Sequence, residues 1–268
     1  MADESLPQKH LMRRSFDRAA SAYDAAAVLQ RRVGEQLERL LDVLEAAPAC
    51  ILDAGSGTGH GVGLLERRFP RAWIVQLDIA LGMVATGYDR APHTGAVCAD
   101  IERLVFADCV FDLIWCNLAL QWAEDLQRSL SELRRVLRPG GWVVFSTLGP
   151  DTLHELRRAF EGVDDNRHVN RFVDALTLKA QVETAGFVGT QLSGEPHVME
   201  YDNVRDLMRE LKAIGAHNVT RGRPGGMMGK SKWQRVEENY ERFRRRGVLP
   251  ATYEVYFVSA RRPSGSAG

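Results

Sequence analysis

The chain has 268 residues, 45% of them hydrophobic and 26% charged, which suits one large domain with a substantial buried core. Its 35 basic and 35 acidic side chains cancel to a formal net charge of zero, which argues against a general nucleic-acid binder. Four cysteines without a C-x-x-C and an N-terminus (MADESLPQKHLMRR) without an apolar signal region point away from metal, disulfide and membrane roles and towards a reducing cytoplasm.

Residues 9–46 read as helical, with Leu37, Leu40, Leu41 and Leu44 forming an apolar stripe at helical spacing. Within them lies Ser15-Phe16-Asp17-Arg18-Ala19-Ala20-Ser21-Ala22-Tyr23-Asp24, where periodicity alone makes Phe16 and Tyr23 plain core residues. The stretch that organises the chain follows: Ile51-Leu52-Asp53-Ala54-Gly55-Ser56-Gly57-Thr58-Gly59-His60-Gly61, then the amphipathic Val62 to Phe69. This reads as strand, tight loop and helix, with glycines that let the backbone approach a ligand at a helix start. A dinucleotide fingerprint would place its third glycine at His60 or Val62, and no Gly-Lys-Ser/Thr follows for a P-loop.

Trp73 to Asp78 reads as the second strand, ending in an acid 19 residues past Gly59, a distance at which a carboxylate can accept both hydroxyls of a ribose. Ala96 to Glu102 reads as the third strand with its turn. Phe111 to Asn117 reads as the fourth, and its C-terminal end makes Asn117, Gln121 and Trp122 candidate pocket residues. Helix 126–137 is expected to stop at Arg138-Pro139-Gly140-Gly141, a turn before the fifth strand, Trp142 to Thr147. Three of the cysteines fall in or beside these strands, where free cysteine behaves as a small hydrophobe. Five βα units in about 100 residues predict a parallel sheet. Thr190 to Tyr201 and Tyr253 to Ala260 read as two last strands flanking a long, mostly helical segment. The loop Arg221 to Gly226 and a disordered tail from Pro263 to Gly268 complete the chain.

The pattern D-x-G-x-G-x-G after a strand resembles the first motif of class I S-adenosylmethionine-dependent methyltransferases. F-x-R-x-A-x-x-Y-D resembles the N-terminal segment that folds over the cofactor in many small-molecule members. The resemblance implies an α/β, Rossmann-like, mostly parallel seven-stranded sheet with helices on both faces, closing on an antiparallel strand, with a helical lid or insertion. It implies S-adenosyl-L-methionine as cofactor, held by Asp53, Gly55, Gly57, Gly59, Asp78, Asp100, Ile101, Asn117, Tyr23 and Phe16. In it Asp100 accepts from the adenine amino group and Ile101 packs on the ring. A single domain is expected: residues 1–47 cover the cofactor, 48–150 bind it, 151–250 form an acceptor-side insertion with basic helices, and 251–268 form the final strand and tail.

The acceptor must be sought in the second half. Gly149 to Arg157 begins a helix on the crevice side, His168-Val169-Asn170-Arg171-Phe172 follows in a polar loop, and Asn203 to Ile214 reads as a helix. The combination N-L-A-L-Q-W, T-L-x-P-D-T-L-H-E-L, V-D-x-x-x-H-x-N-R-F, L-K-A-I-G-A-H-N and L-P-A-T-Y-E-V-Y, spread from Phe16 to about Ala260, resembles the malonyl-acyl-carrier-protein O-methyltransferases of biotin synthesis. Ser56 stands where many members have cysteine, and the loop around Met227-Met228 has no clear counterpart. The resemblance implies methylation of the free carboxylate of a malonyl thioester, on acyl carrier protein or coenzyme A; a monomer is expected, and the balanced charge and lack of a long apolar segment argue against nucleic acid or membrane as partner.

A carboxylate, with a reference pKa near 4, is already a nucleophile at neutral pH and needs a cation to orient it rather than a general base. Arg171, with its bidentate fork, is the first candidate, followed by His168 and Lys212. His168 reads equally as a loop histidine bonded to backbone, and Lys212 equally as part of a solvated helix face. No metal is expected. From Arg205 to Arg246 there are 12 basic and 5 acidic residues, a basic excess that suits an acidic carrier; the run Arg242, Arg244, Arg245, Arg246 reads equally as a solvated helix face. A non-catalytic cofactor-binding or scaffold protein is disfavoured because Asp53, the loop glycines, Asp78 and Asp100 are all in place, which leaves two enzymatic rivals. A small-acid carboxyl methyltransferase such as the trans-aconitate type would need several cations and no carrier surface. The mitochondrial assembly-factor relative that hydroxylates arginine lacks H-x-N-R-F and L-K-x-I-G-A-H-N.

Overall fold

Seven strands form one sheet in the order β3-β2-β1-β4-β5-β7-β6. They are β1 (Cys50–Ala54), β2 (Trp73–Asp78), β3 (Gly95–Cys98), β4 (Phe111–Asn117), β5 (Leu137–Leu148), β6 (Val188–Tyr201) and β7 (Leu249–Arg261). The first five pair in parallel, and β7 runs antiparallel to both β5 and β6. The helices are α1 (Lys9–Ala19), α2 (Tyr23–Ala26), α3 (Val28–Glu38), α4 (His60–Arg68), α5 (Leu81–Arg90), α6 (Leu126–Val136), α7 (His154–Phe160), α8 (Ala175–Thr184), α9 (Val204–Ala213) and α10 (Lys230–Glu241). The computed structural model describes residues 9–164, 166, 168–215 and 229–265. The Arg221–Gly226 and Met227-Met228 loop, the last three residues of L-K-A-I-G-A-H-N and residues 266–268 of the tail lie outside them.

Strand alternation sorts the core onto two faces. Ile51, Leu113, Trp115 and Val144 point to one side, under α3, α4, α7, α9 and α10. Leu52, Ile114, Cys116 and Phe145 point to the other, under α6 and α8. Helix starts are capped where the sequence supplies an acceptor: Asp125 takes the Arg128 N–H, Asp174 those of Leu176 and Thr177, and Asn203 that of Asp206. Among the described residues no helix is long and apolar enough to cross a membrane.

Several expectations change. The helical stretch 9–46 is three helices and a 3-10 turn (Arg39–Val43), broken at Ala20-Ser21-Ala22 and at Ala27. The first break arises because Asp24 is drawn onto Thr58 and Arg90 and Asp17 onto the Gly82 N–H, which carries Tyr23 over the glycine loop. Arg138-Pro139-Gly140-Gly141 is not a free turn but the start of β5. Gly140 donates to the Arg262 carbonyl at 2.9 Å, the Arg262 N–H returns to Gly141 at 2.8 Å, and the Arg262 guanidinium caps carbonyls at the end of α6. Helix α8 lies where the sequence predicts no element; Asp174 starts it by capping the N–H groups of Leu176 and Thr177. Cys98 is exposed at the end of β3 rather than buried, whereas burial pushes the Cys116 thiol well up.

Candidate active site

The C-terminal ends of β1, β2 and β4 bring Asp53, Asp78 and Asn117 to one crevice, at the point where the strand order reverses between β1 and β4. Between β1 and α4 the loop turns through three left-handed glycines, Gly55, Gly57 and Gly59. At Gly55 the φ is +79°, and an added Cβ would stand 2.2 Å from that of Ala119, so no other residue fits. At Gly61 a Cβ would stand 2.7 Å from Asp53 Oδ2.

A cavity of about 630 Å³ opens from this loop towards the second half of the chain. Gly55, Gly57, Asp78, Asp100, Ile101, Asn117, Tyr23 and Phe16 line it, as do Gln121 and Trp122. Phe16 meets Trp122 edge to face at 5.4 Å, so the N-terminal segment roofs the cavity. Two lining residues, Leu118 and Leu153, hold left-handed backbone although neither is glycine, the kind of strain that gathers at functional sites. Asn117 has both ends of its amide engaged, donating to the Gln30 carbonyl at 2.9 Å and accepting from Ser146 Oγ at 2.7 Å. It therefore ties α3 to the sheet as well as facing the cavity.

Asp53 lies beneath the loop, 2% exposed, beside a second chamber of about 260 Å³. There Asp53 Oδ2, Ser56 Oγ, Trp115 Nε1 and Gln30 Oε1 are buried without a partner. Burial, with the charge of Asp78 adding to it, pushes Asp53 up to about 8. Asp78 is raised to about 6 by burial, against the pull of backbone N–H groups at Ala80 and Gly57. An unfolded aspartate titrates near 4, so between about pH 4 and pH 8 only the folded chain keeps the Asp53 proton, and stability without ligand falls as pH rises across that window. Asp53→Asn is expected to flatten this slope, and thermal melts at pH 5 and pH 8 check it.

On the acceptor side the structure divides the three candidate cations. His168 lines the cavity, stacked on Phe160 at 3.5 Å, with Nε2 2.8 Å from Asp164 Oδ1. Its side chain is thus fixed by a carboxylate rather than by backbone. Burial raises the Asp164 pKa, but hydrogen bonds from His168 and Asn166 outweigh that and hold it below the usual range. Arg171 does not reach the cavity: Val169 is buried and Phe172 packs against the core, which leaves Arg171 exposed on the outer side. Lys212 does not reach it either, because Met208, Leu211 and Ile214 form the inward stripe of α9 and Lys212 falls on the exposed face.

Among the polar groups lining the cavity that the sequence did not single out are Asn170, Lys9 and Lys232. Asn170, whose Oδ1 is buried without a partner, could have been found as the alternate residue between His168 and Phe172. Nothing local marks Lys9 or Lys232, because tertiary packing sets which way α1 and α10 face. The arginine run lies beyond α10 in a turn, not on a helix face. Arg244 is consumed by Glu241 and the carbonyls of Asp202 and Gly247, while Arg242, Arg245 and Arg246 stay exposed.

A methyltransferase-domain family profile matches residues 52–145, from β1 into β5. The architecture is similar to a putative methyltransferase of Bacillus halodurans (TM-score 0.62, 19% identity, covering 86% of this chain and 98% of that one). It is also similar to phosphoethanolamine N-methyltransferase 2 of Haemonchus contortus in complex with S-adenosyl-L-methionine (TM-score 0.57, 15% identity, covering 92% and 57%). Sheet order and glycine loop together define a class I S-adenosylmethionine-dependent methyltransferase. A malonyl-[acyl-carrier protein] O-methyltransferase of Laribacter hongkongensis is 46% identical over 275 residues, covering 98% of this chain and 93% of its own. The chain belongs to that family. The orphaned acid, hydroxyl and indole N–H around Asp53 fit the charged amino-acid end of the cofactor, and Asp78 beside Gly57 fits its ribose.

Proposed function

We propose that the chain transfers a methyl group from S-adenosyl-L-methionine to the free carboxylate of a malonyl thioester borne on acyl carrier protein, the step that opens biotin (pimelate) synthesis. The observation that carries this reading is the continuity of one cavity from Gly57 and Asp78 to His168, Asn170 and Lys232. The family's name supplies the acceptor. Of residues 1–47, Phe16 and Tyr23 cover the cofactor. Within 48–150, Asp53, Gly55, Gly57, Asp78, Asp100, Ile101 and Asn117 hold it, while Gly59 lines neither chamber and packs against Gly87 of α5. The described part of 151–250 receives the acceptor. The final strand closes the sheet, with Tyr253 lining the cavity.

The cofactor, when bound, supplies an electrophilic methyl group; the protein supplies placement. His168, fixed by Phe160 and Asp164, orients the acceptor carboxylate, and Lys232 attracts it at the rim, while the unpartnered Asn170 Oδ1 can take a donor elsewhere on the acceptor. The carboxylate must come within about 3 Å of the methyl carbon, in line with the departing sulfur. Phe160, Val169, Phe172 and Trp233 exclude water, so the carboxylate reacts without its hydration shell. No proton moves, because the acid is already ionised at neutral pH.

A panel of malonyl and succinyl thioesters, carrier-bound and on coenzyme A, tests the reading with labelled cofactor. Methylation should favour malonyl over succinyl, and Arg242, Arg245 and Arg246 changed together to glutamine should raise KM about tenfold for the carrier-bound substrate alone. Equal use of both acids would contradict the choice of acceptor, and equal losses on both carriers would contradict the docking surface.

A further inference from the structure

Lys9, Met12 and Phe16 lie three and four residues apart on α1, so one face of the helix presents all three to the cavity. Among the described residues, a small cluster of Ala19, Ala20, Ala80 and Met83, with Phe16 and Tyr23 against it, lies behind that helix, separate from the two main cores. Polar contacts do much of the fixing. Lys9 Nζ stands 2.5 Å from Asp100 Oδ2 and 2.8 Å from Glu102 Oε1, and the Glu102 side chain is only 6% exposed. The second oxygen of Asp100 takes the Glu102 N–H at 2.9 Å, and Glu102 Oε1 also takes the Glu124 N–H at 2.7 Å. Burial pulls the Lys9 pKa down, but hydrogen bonds from its ammonium to both carboxylates outweigh it and leave the pKa above its ordinary value, so the group stays charged.

We propose that Lys9 is a positioning residue for the cofactor: its ammonium, bridging Asp100 and Glu102, latches α1 over the purine end of the cavity and sets the Asp100 carboxylate for the ring's amino group. The inference rests on the cofactor reading above. Asp100 retains free lone pairs beside the two donors, so it can accept from a purine amino group without releasing Lys9. The latch then shuts behind the bound cofactor, and cofactor release requires a half-buried ion pair to break.

Calorimetry and stopped-flow dissociation with S-adenosylhomocysteine test it on the full chain. Lys9→Met should raise Kd about 30-fold, mostly through faster dissociation, since it removes charge-assisted hydrogen bonds that hold the roof. Lys9→Arg should stay within about threefold of wild type, because a guanidinium can also bridge two carboxylates. Raising NaCl from about 50 to 500 mM should speed dissociation from the wild type and leave Lys9→Met unchanged. Lys9→Met leaves Glu102 as an uncompensated buried acid, so the double variant Lys9→Met/Glu102→Gln should recover Tm while its Kd stays high. A Lys9→Met Kd within twofold of wild type would overturn the latch, as would a double variant that regains affinity together with Tm. A wild-type chain without affinity for S-adenosylhomocysteine would overturn the cofactor reading and the latch with it.

Discussion

Asp78→Asn should weaken cofactor binding about 100-fold, since one hydrogen bond to a charged acceptor is lost and the other weakens to a neutral one beside a misdirected N–H, roughly 3 kcal/mol together. Asp78 ends β2 with Oδ2 on the Gly57 N–H at 3.0 Å and Oδ1 on the Ala80 N–H at 2.9 Å, so it both faces the cavity and braces the glycine loop. An asparagine keeps one acceptor and must turn an amide N–H either towards Gly57 or Ala80 or towards the ribose. Calorimetry against S-adenosylhomocysteine measures the loss, and Tm separates it from unfolding. A Kd within threefold of wild type would remove Asp78 from the cofactor site.

On the acceptor side, His168→Ala should lower kcat/KM for the malonyl thioester about 30-fold while leaving cofactor Kd unchanged, as expected for one charged hydrogen bond made only to the acceptor. The variant also strips the stacking partner from Phe160 and the donor from Asp164, so melting curves must accompany the kinetics. Arg171→Ala supplies the contrast. Its side chain is exposed and off the cavity, and kcat/KM should remain within about twofold of wild type, in line with surface charge substitutions. The opposite pattern, with Arg171 needed and His168 dispensable, would return the acceptor site to the sequence-based ranking.

The contrast shows what the residues alone disclose. The β1 loop with its left-handed glycines, Asp78 at its distance and the parallel strands were legible, because each depends on local patterning or on glycine where no Cβ fits, whereas the antiparallel close was implied by the family resemblance alone. The acceptor wall was not legible. His168, Asn170 and Arg171 share one motif, and which of them faces inward depends on where Val169 and Phe172 find core to pack against. Lys212 falls outside the cavity for the same reason, since its helix turns Leu211 inward. Arg138-Pro139-Gly140-Gly141 carries every local mark of a turn, yet a distant arginine, Arg262, pairs with it and makes it strand. Lys9 sits in a stretch whose helical character was evident, but its partners lie more than 90 residues away.

The most direct measurement follows the methyl group itself. After incubation with malonyl-acyl carrier protein and methyl-labelled S-adenosyl-L-methionine, mild base should release the label as methanol, since a carboxyl methyl ester hydrolyses readily. Label that survives base, fixed on nitrogen or carbon, would contradict the account.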